Sequence, residues 1–266
     1  IDSDFIDYLD TLVKEVNKKS FVKLIDMTSI YQEHECKANK DTLFTPYCML
    51  RLYSDLVDLP SKILYLDTDV LVYRSFKDFY NINNTNYELV GVLDYYGSHV
   101  YKKNPFKKDY LNSGVLLFNL DLLKKEDILK KARKMCATKK MLLPDQSALN
   151  ILCKHKLIVD RKYNEQKAMQ SDTVLRHFTT TFKFFPRIKT QKVKPWQINR
   201  MHDVLNCHEF DWLLDEYKEW LQMNKKIIPI FFTIDDAFAP FASVAIKSLL
   251  DNASQNYFYH IHIVNN

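Results

Sequence analysis

The stretch KILYLDTDVLVY, residues 62–73, decides the fold of this protein. After Lys62 it begins with a continuous apolar run that is typical of a buried β-strand. Asp67 and Asp69 follow this run directly, and apolar residues resume behind them. Ligands of open α/β sheets bind in the crevice beyond the carboxyl ends of the strands. We therefore expect both aspartates to project into a ligand site at an edge of a sheet.

Two carboxylates one residue apart repel each other unless a cation neutralises them. Mg²⁺ and Mn²⁺ accept oxygen ligands and can bridge to a diphosphate. An ordinary polar turn at a strand end explains the same D-x-D pattern. On these residues alone, the metal site and the turn both stay open.

Strands alternate with helices along most of the chain. We predict further strands at 21–27, 88–94 and 114–121, and helices beginning after Ser3, at Pro46, at Leu122 and at Pro144. This alternation predicts an α/β fold in which helices flank a mostly parallel, twisted sheet. We expect one domain over residues 1–266.

The last part of the chain forms a strand–helix–strand pattern, IIPIFFTIDD, APFASVAIKSLLDN and YFYHIHIVNN. Such a unit cannot bury both of its faces alone. We expect residues 223–266 to supply the first strand–helix–strand of a nucleotide-binding half, residues 1–200 the rest, and 201–222 a C-terminal-type helix. Met223 resembles a translation start within the chain, which favours a circularly permuted order. A boundary between tandem copies is the alternative.

Composition excludes several kinds of site. The three glycines, Gly91, Gly97 and Gly114, cannot form a Walker loop or a G-x-G-x-x-G motif. The charge of a bound phosphate must therefore be met by a metal ion or by side chains. The net charge of +5 is mild and both signs are mixed along the chain, so nucleic acid is not an expected partner.

Compartment and surface properties give three further expectations. Segment 182–196 is basic and aromatic; it fits a solvated edge, phosphate contact or peripheral attachment to the inner face of a membrane. The five cysteines are odd in number and lack C-x-x-C spacing, which is typical of reduced thiols in a cytoplasmic protein. The acidic start is not a signal peptide, and apolar runs stay below the ~20 residues of a membrane span.

Six segments together resemble the family 8 retaining glycosyltransferases, the group of glycogenin and of bacterial lipopolysaccharide galactosyltransferases. The segments are IPIFFTIDD, TPYCMLRLYSDL, ILYLDTDVLV, YLNSGVLLFNL, LPDQSALN and the pair RHF and VKPW. Their order matches the family once the permutation is undone. The resemblance implies a nucleotide-diphospho-sugar transferase (GT-A-like) fold.

The resemblance also implies roles for individual residues. Asp67, Asp69 and His177 would bind Mn²⁺ or Mg²⁺, Asp145 and Gln146 would face the reacting carbon, and Asp94 would contact the acceptor. The implied contacts to the nucleotide-sugar donor are Thr233, Asp235, Arg51, Asp67, Thr68, Asn112, Ser113 and Lys194. Without the resemblance, these residues read as core, turn or helix-cap positions.

Two departures from the family pattern stand out. Ala237 occupies a position where relatives often carry Asn. Thr179 and Thr180 replace a glycine region, and a basic insertion separates His177 from Lys194. The first departure weakens the expected contact of the protein with the ribose or base of the donor. The second weakens the predicted placement of Lys194.

The activity implied by the resemblance is transfer of a hexose from a UDP-sugar to a hydroxyl of a glycan or glycolipid, as in bacterial lipopolysaccharide biosynthesis. UDP-galactose and UDP-glucose both remain open. One alternative is a phosphohydrolase of the haloacid dehalogenase type, whose nucleophile motif resembles LYLDTDVLV. The other is an inactive module that binds a nucleotide-sugar.

Overall fold

A computed structural model describes residues 3–40, 46–95, 109–183, 189–223, 226–234, 239–253 and 257–265. The chain divides into two compact units, residues 1–195 and 196–266. No helix among the described residues combines the length and hydrophobicity needed to cross a bilayer.

The first unit contains eight short or medium strands within its described residues. They are β1 (Lys62–Leu66), β2 (Val70–Val72), β3 (Leu89–Leu93), β4 (Leu111–Asn119), β5 (Lys156–Ile158), β6 (Leu175–His177), β7 (Thr181–Lys183) and β8 (Lys189–Gln191). The described helices of this unit are α1 (Ser3–Val16), α2 (Thr28–Glu33), α3 (Lys77–Tyr80), α4 (Leu120–Lys125), α5 (Ile128–Thr138) and α6 (Pro144–Leu152). Three 3₁₀ segments accompany them, at Lys37–Asn39, Pro46–Leu56 and Arg161–Asn164.

The main sheet has four strands in the order β1-β4-β3-β5. β1 and β3 both pair antiparallel with β4, whereas β3 pairs parallel with β5. The α/β class is confirmed, but the sheet is mixed rather than mostly parallel because β4 runs against its neighbours. An apolar run such as GVLLF specifies burial on both faces and carries no information on strand direction.

Apolar clusters cover both faces of the sheet around β4. Leu116 and Phe118 belong to one cluster, whereas Val115 and Leu117 belong to the other. This alternation is the period-two pattern of a strand that is buried on both sides. The helices α5 and α6 and the segment Pro46–Leu56 pack on the first face, and this packing holds β4 and the segment near one another.

Two local predictions differ from the structure. Residues 21–27 form no strand; Phe21 is exposed, and the Val22 amide donates to Asp10 Oδ1 at 2.8 Å instead of joining a ladder. The segment that begins at Pro46 is a 3₁₀ helix rather than an α-helix. Because 3₁₀ runs of more than three or four residues are uncommon, a helix of this length is expected from sequence to be an α-helix.

The second unit contains α7 (Ile198–Leu205), α8 (Asp211–Met223), β9 (Lys226–Ile234), α9 (Ala239–Asp251) and β10 (Tyr257–Asn265). β9 and β10 pair parallel over their whole length, from Tyr257↔Lys226 to Asn265↔Ile234. A strand–helix–strand unit therefore forms where the sequence predicted one. That it completes the sheet of residues 1–200 stays a prediction.

Candidate active site

A tight turn connects β1 to β2 and carries the two aspartates. The Asp67 amide donates to the Gly114 carbonyl on β4 at 2.8 Å, and the Val70 amide closes the turn on the Asp67 carbonyl at 3.1 Å. β2 then pairs antiparallel with β6, with Val70 opposite His177. This pairing brings the imidazole of His177 beside both carboxylates.

Three ligand atoms converge at this point. His177 Nε2 lies 3.3 Å from Asp69 Oδ1 and 3.7 Å from Asp67 Oδ2. Ligand atoms of these three residues all lie within 4.8 Å of one another. Two carboxylate oxygens and one imidazole nitrogen are a donor set that divalent cations such as Mn²⁺ accept, so the residues fit a metal.

Gly114 leaves the space in which His177 lies. A Cβ atom at Gly114 would stand 2.1 Å from His177 Cε1, 2.7 Å from His177 Nδ1 and 2.8 Å from Asp67 Oδ2. Since real Cβ atoms do not approach other atoms so closely, only glycine fits here without displacing two of the three ligands.

A chain of amides fixes the orientation of His177. Asn112 Nδ2 donates to Asp94 Oδ2 at 2.8 Å, and Asn164 Nδ2 donates to Asn112 Oδ1 at 3.0 Å. Asn164 Oδ1 is then the acceptor for His177 Nδ1, 3.2 Å away. Because Nδ1 is hydrogen-bonded to Asn164, Nε2 is the ring nitrogen that faces the two aspartates, as in ligating histidines.

Arg51 connects the turn to the start of α6. Its Nη2 lies 2.8 Å from Asp67 Oδ1, its Nε lies 3.1 Å from Asp145 Oδ2, and its Nη1 donates to the Ser113 carbonyl. Burial favours the neutral guanidine, but the charges of Asp145 and Asp67 outweigh it and raise the pKa of Arg51. The Tyr65 hydroxyl also donates to Asp67 Oδ1, at 2.7 Å.

Gln146 joins this network to the amide chain. Its Oε1 accepts from the Ser113 amide at 2.9 Å, and its Nε2 donates to Asp94 Oδ2 at 3.2 Å. Ser113 Oγ in turn donates to Asp145 Oδ2 at 3.3 Å. The four predicted residues Asp94, Asn112, Ser113 and Gln146 are therefore brought together as one buried polar layer.

Lys194 pairs with the metal-site carboxylate of Asp69 and donates to the Phe178 carbonyl at 3.1 Å. Burial disfavours the charged form of Asp69, but hydrogen bonds from His177 and Lys194 outweigh it and lower the pKa of Asp69 to about 2. The ammonium of Lys194 thus lies at the ligand cluster despite the basic insertion that precedes it.

The remaining predicted residues are Thr68, Thr233 and Asp235. Thr68 is exposed in the turn between the two aspartates. Thr233 lies on β9 in the second unit, and Asp235 and Ala237 lie outside the described residues. Part of the predicted basic-aromatic segment, residues 184–188, also lies outside them.

Sequence reasoning missed Asn164, Gly114 and Tyr65 as members of the site. Asn164 is fully buried and follows no recognisable motif. Gly114 was considered only as one of three glycines that cannot form a phosphate loop, yet its role is to leave room for His177. The available signal was its position directly after Asn112 and Ser113, which the family resemblance placed beside the donor.

Comparison with known proteins supports one family. The family model described as glycosyl transferase family 8 matches residues 1–200. The lipopolysaccharide 1,3-galactosyltransferase of Salmonella typhimurium is 24% identical over 210 residues, covering 73% of this chain and 61% of that protein. Glycosyltransferase GlyA of Streptococcus pneumoniae is 31% identical over 164 residues, covering 59% of this chain and 22% of that protein.

A solved structure shows the same fold. The bifunctional glycosyltransferase WbbM superposes with a TM-score of 0.56 at 12% identity, over 82% of this chain and 44% of that chain. This chain therefore spans less than two thirds of the length of each of these three relatives.

Proposed function

Because this chain belongs to glycosyltransferase family 8, we propose that it transfers a hexose from a UDP-sugar to a hydroxyl of a glycan or glycolipid, with retention of anomeric configuration. The observation that carries the proposal is the convergence of one ligand atom each from Asp67, Asp69 and His177 within 4.8 Å of one another. A site of this kind suits Mn²⁺, and Thr68, between the two aspartates, is exposed to solvent.

The metal, when bound, supplies positive charge that stabilises the departing diphosphate. Asp67, Asp69 and His177 would hold the metal ion. Lys194 adds a second cation, which we propose exchanges the Asp69 carboxylate for the diphosphate of the donor. Arg51 is buried and occupied by two carboxylates, which supports a role in positioning Asp67 rather than direct contact with the donor.

The reacting carbon develops positive charge as the bond to the diphosphate breaks. We propose that Asp145 and Gln146 face this carbon and that Asp145 stabilises it electrostatically. Asn112 and Ser113 would line the donor sugar, and Asp94 would contact the acceptor. The acceptor hydroxyl then attacks from the face that the diphosphate leaves, with a phosphate oxygen of the donor as its base.

In this proposal, the strand–helix–strand unit of residues 226–265 binds the nucleotide end of the donor. Thr233 and Asp235 would contact the uridine, and the chain order would be a circular permutation of the family order. Replacing Asp235 by Ala should then weaken UDP binding at least about fivefold. An unchanged UDP affinity would remove this unit from the nucleotide site and leave the tandem-copy explanation.

Release of UDP from a panel of nucleotide-sugars tests the reaction. We expect slow hydrolysis of one UDP-hexose, UDP-galactose or UDP-glucose, in the presence of Mn²⁺ and its loss after chelation by EDTA. A generic phosphate ester in the same assay is the control for the phosphohydrolase alternative. Cleavage of that ester without release of UDP from any donor would overturn the proposal.

A further inference from the structure

A second cluster of ligating side chains lies in the unit of residues 196–266. His202 is in the last turn of α7, His208 is in the connection that follows, and Asp211 is in the first turn of α8. Their ligand atoms all lie within 4.8 Å of one another. We propose that these three residues bind a divalent transition metal of the zinc class, separate from the cation of the transferase site.

Both imidazoles contact the same carboxylate, that of Asp211. His202 Nε2 lies 2.6 Å from Asp211 Oδ1, and His208 Nδ1 lies 3.3 Å from Asp211 Oδ2. The two rings stack with their centroids 4.3 Å apart. The helix dipole favours a cation such as His202 at the end of α7 and an anion such as Asp211 at the start of α8. It does not explain why His208, which lies between the two helices, also contacts Asp211.

The distances are close to those of a metal site. Ligand atoms bound at ~2.0–2.1 Å in a tetrahedral zinc site lie about 3.3 Å apart. The separation of His208 Nδ1 from Asp211 Oδ2 has this value, whereas His202 Nε2 and Asp211 Oδ1 lie at the shorter distance of a hydrogen bond, which ion binding would lengthen.

The types of ligand atom indicate which metals this cluster suits. Two imidazoles and one carboxylate suit Zn²⁺, Cu²⁺ or Ni²⁺, whereas Mg²⁺ and Mn²⁺ prefer sites rich in oxygen. The side chains of His202, His208 and Asp211 are 29%, 55% and 42% exposed, so an ion has access and water can complete its coordination. A bound ion would join the end of α7 to the start of α8.

Titration of Zn²⁺ into the metal-free full chain tests this inference. The double variant D67N/D69N removes the carboxylates of the transferase site, so that remaining zinc binding reports the second cluster. We expect this variant to bind one Zn²⁺ and to melt at a higher temperature with the ion than without it. Adding H208A, or the conservative D211N, should weaken that binding at least about tenfold and abolish the thermal shift.

His155 provides the matched control, because it is an exposed histidine in the other unit. Adding H155A to D67N/D69N should leave zinc binding and the thermal shift unchanged. Equal losses from H155A and H208A would mean that exposed histidines bind zinc adventitiously, and the inference would fail. It would also fail if D67N/D69N bound no zinc. Neither result bears on the proposed transfer reaction, which is tested separately by UDP release.

Discussion

At the residue scale, adding one carbon atom at Gly114 should weaken metal binding while the protein still folds. The Cβ of G114A would overlap His177 and Asp67, so we expect Mn²⁺ affinity to fall at least about tenfold. G91A is the control, since its Cβ would meet Leu116 Cδ2 at 2.8 Å, away from the ligands. Overpacking should cost both variants about 1–3 kcal/mol of stability. Calorimetric titration with Mn²⁺ checks this, and equal affinity in G114A and G91A would contradict it.

Asn164 is expected to act on the metal through His177. N164L removes the acceptor of His177 Nδ1, so the imidazole loses its fixed orientation and Mn²⁺ affinity should fall about 10–100-fold. N164D keeps an acceptor oxygen and should lose less. Mn²⁺ titration of both variants tests the order wild type, N164D, N164L; an N164L protein that binds Mn²⁺ like the wild type would disprove the role.

Cys48 links pH to stability. Burial and the charge of Asp145 raise the pKa of its thiol from 9.0 to about 12. The unfolded chain ionises this thiol above about pH 9 while the folded chain does not, so stability that is present below pH 9 is lost as the pH rises towards 12. Urea denaturation of wild type and C48A should show their stability difference shifting against the wild type by about 1 kcal/mol between about pH 8 and pH 10. A difference that stays constant with pH would contradict this.

The family resemblance implied which ligands would meet but not which residues hold them in place. Asp67, Asp69 and His177 were predicted together, and the structure brings their ligand atoms within 4.8 Å. Asn164 and Gly114 escaped prediction because their importance comes from contacts with His177, 13 and 63 positions away in a chain with no pattern to indicate them. Tertiary proximity of this kind has no local signature.

At the element scale, a buried ion pair joins α5 to the segment Pro46–Leu56, which carries Arg51. Arg133 Nη1 and Nη2 lie 2.5 and 3.0 Å from the two oxygens of Asp55, and Arg133 also donates to the Leu52 carbonyl. R133M leaves the Asp55 carboxylate, 14% exposed, without its partner. We expect this variant to lose about 3 kcal/mol of stability in urea denaturation.

The double variant R133M/D55L is the control for this prediction. Replacing both ions by apolar groups of similar size is often nearly neutral, so the double variant should recover most of the lost stability. A double variant as unstable as R133M, or an R133M protein as stable as the wild type, would contradict the account of this pair.

Element types were more predictable than element directions. The apolar runs of β1, β3 and β4 and the helical spacing of α1 and α6 indicated those elements, because burial imposes a period on the sequence. The reversed direction of β4 was not indicated, since both faces of that strand are buried whichever way it runs. Residues 21–27 failed as a strand because β-structure also requires a neighbour that offers a free edge.

At the scale of the whole molecule, the sequence indicated the α/β class and the family, and both are confirmed. The single domain over residues 1–266 stays a prediction, and the chain divides into two compact units, residues 1–195 and 196–266. The hydrophobic pattern indicates that a strand–helix–strand unit must bury its apolar faces. It does not indicate which surface of the protein buries them. The permuted order therefore stays a prediction that the uridine contacts of residues 226–265 will decide.

The central claim is that Asp67, Asp69 and His177 form a metal-dependent nucleotide site, and UDP binding measures it without knowledge of the sugar or the acceptor. We would titrate UDP into wild type and D69N, each with Mn²⁺ and with EDTA. The account predicts that Mn²⁺ tightens UDP binding to the wild type at least about fivefold and leaves binding to D69N unchanged. UDP affinity in the wild type that is the same with Mn²⁺ and with EDTA would contradict it.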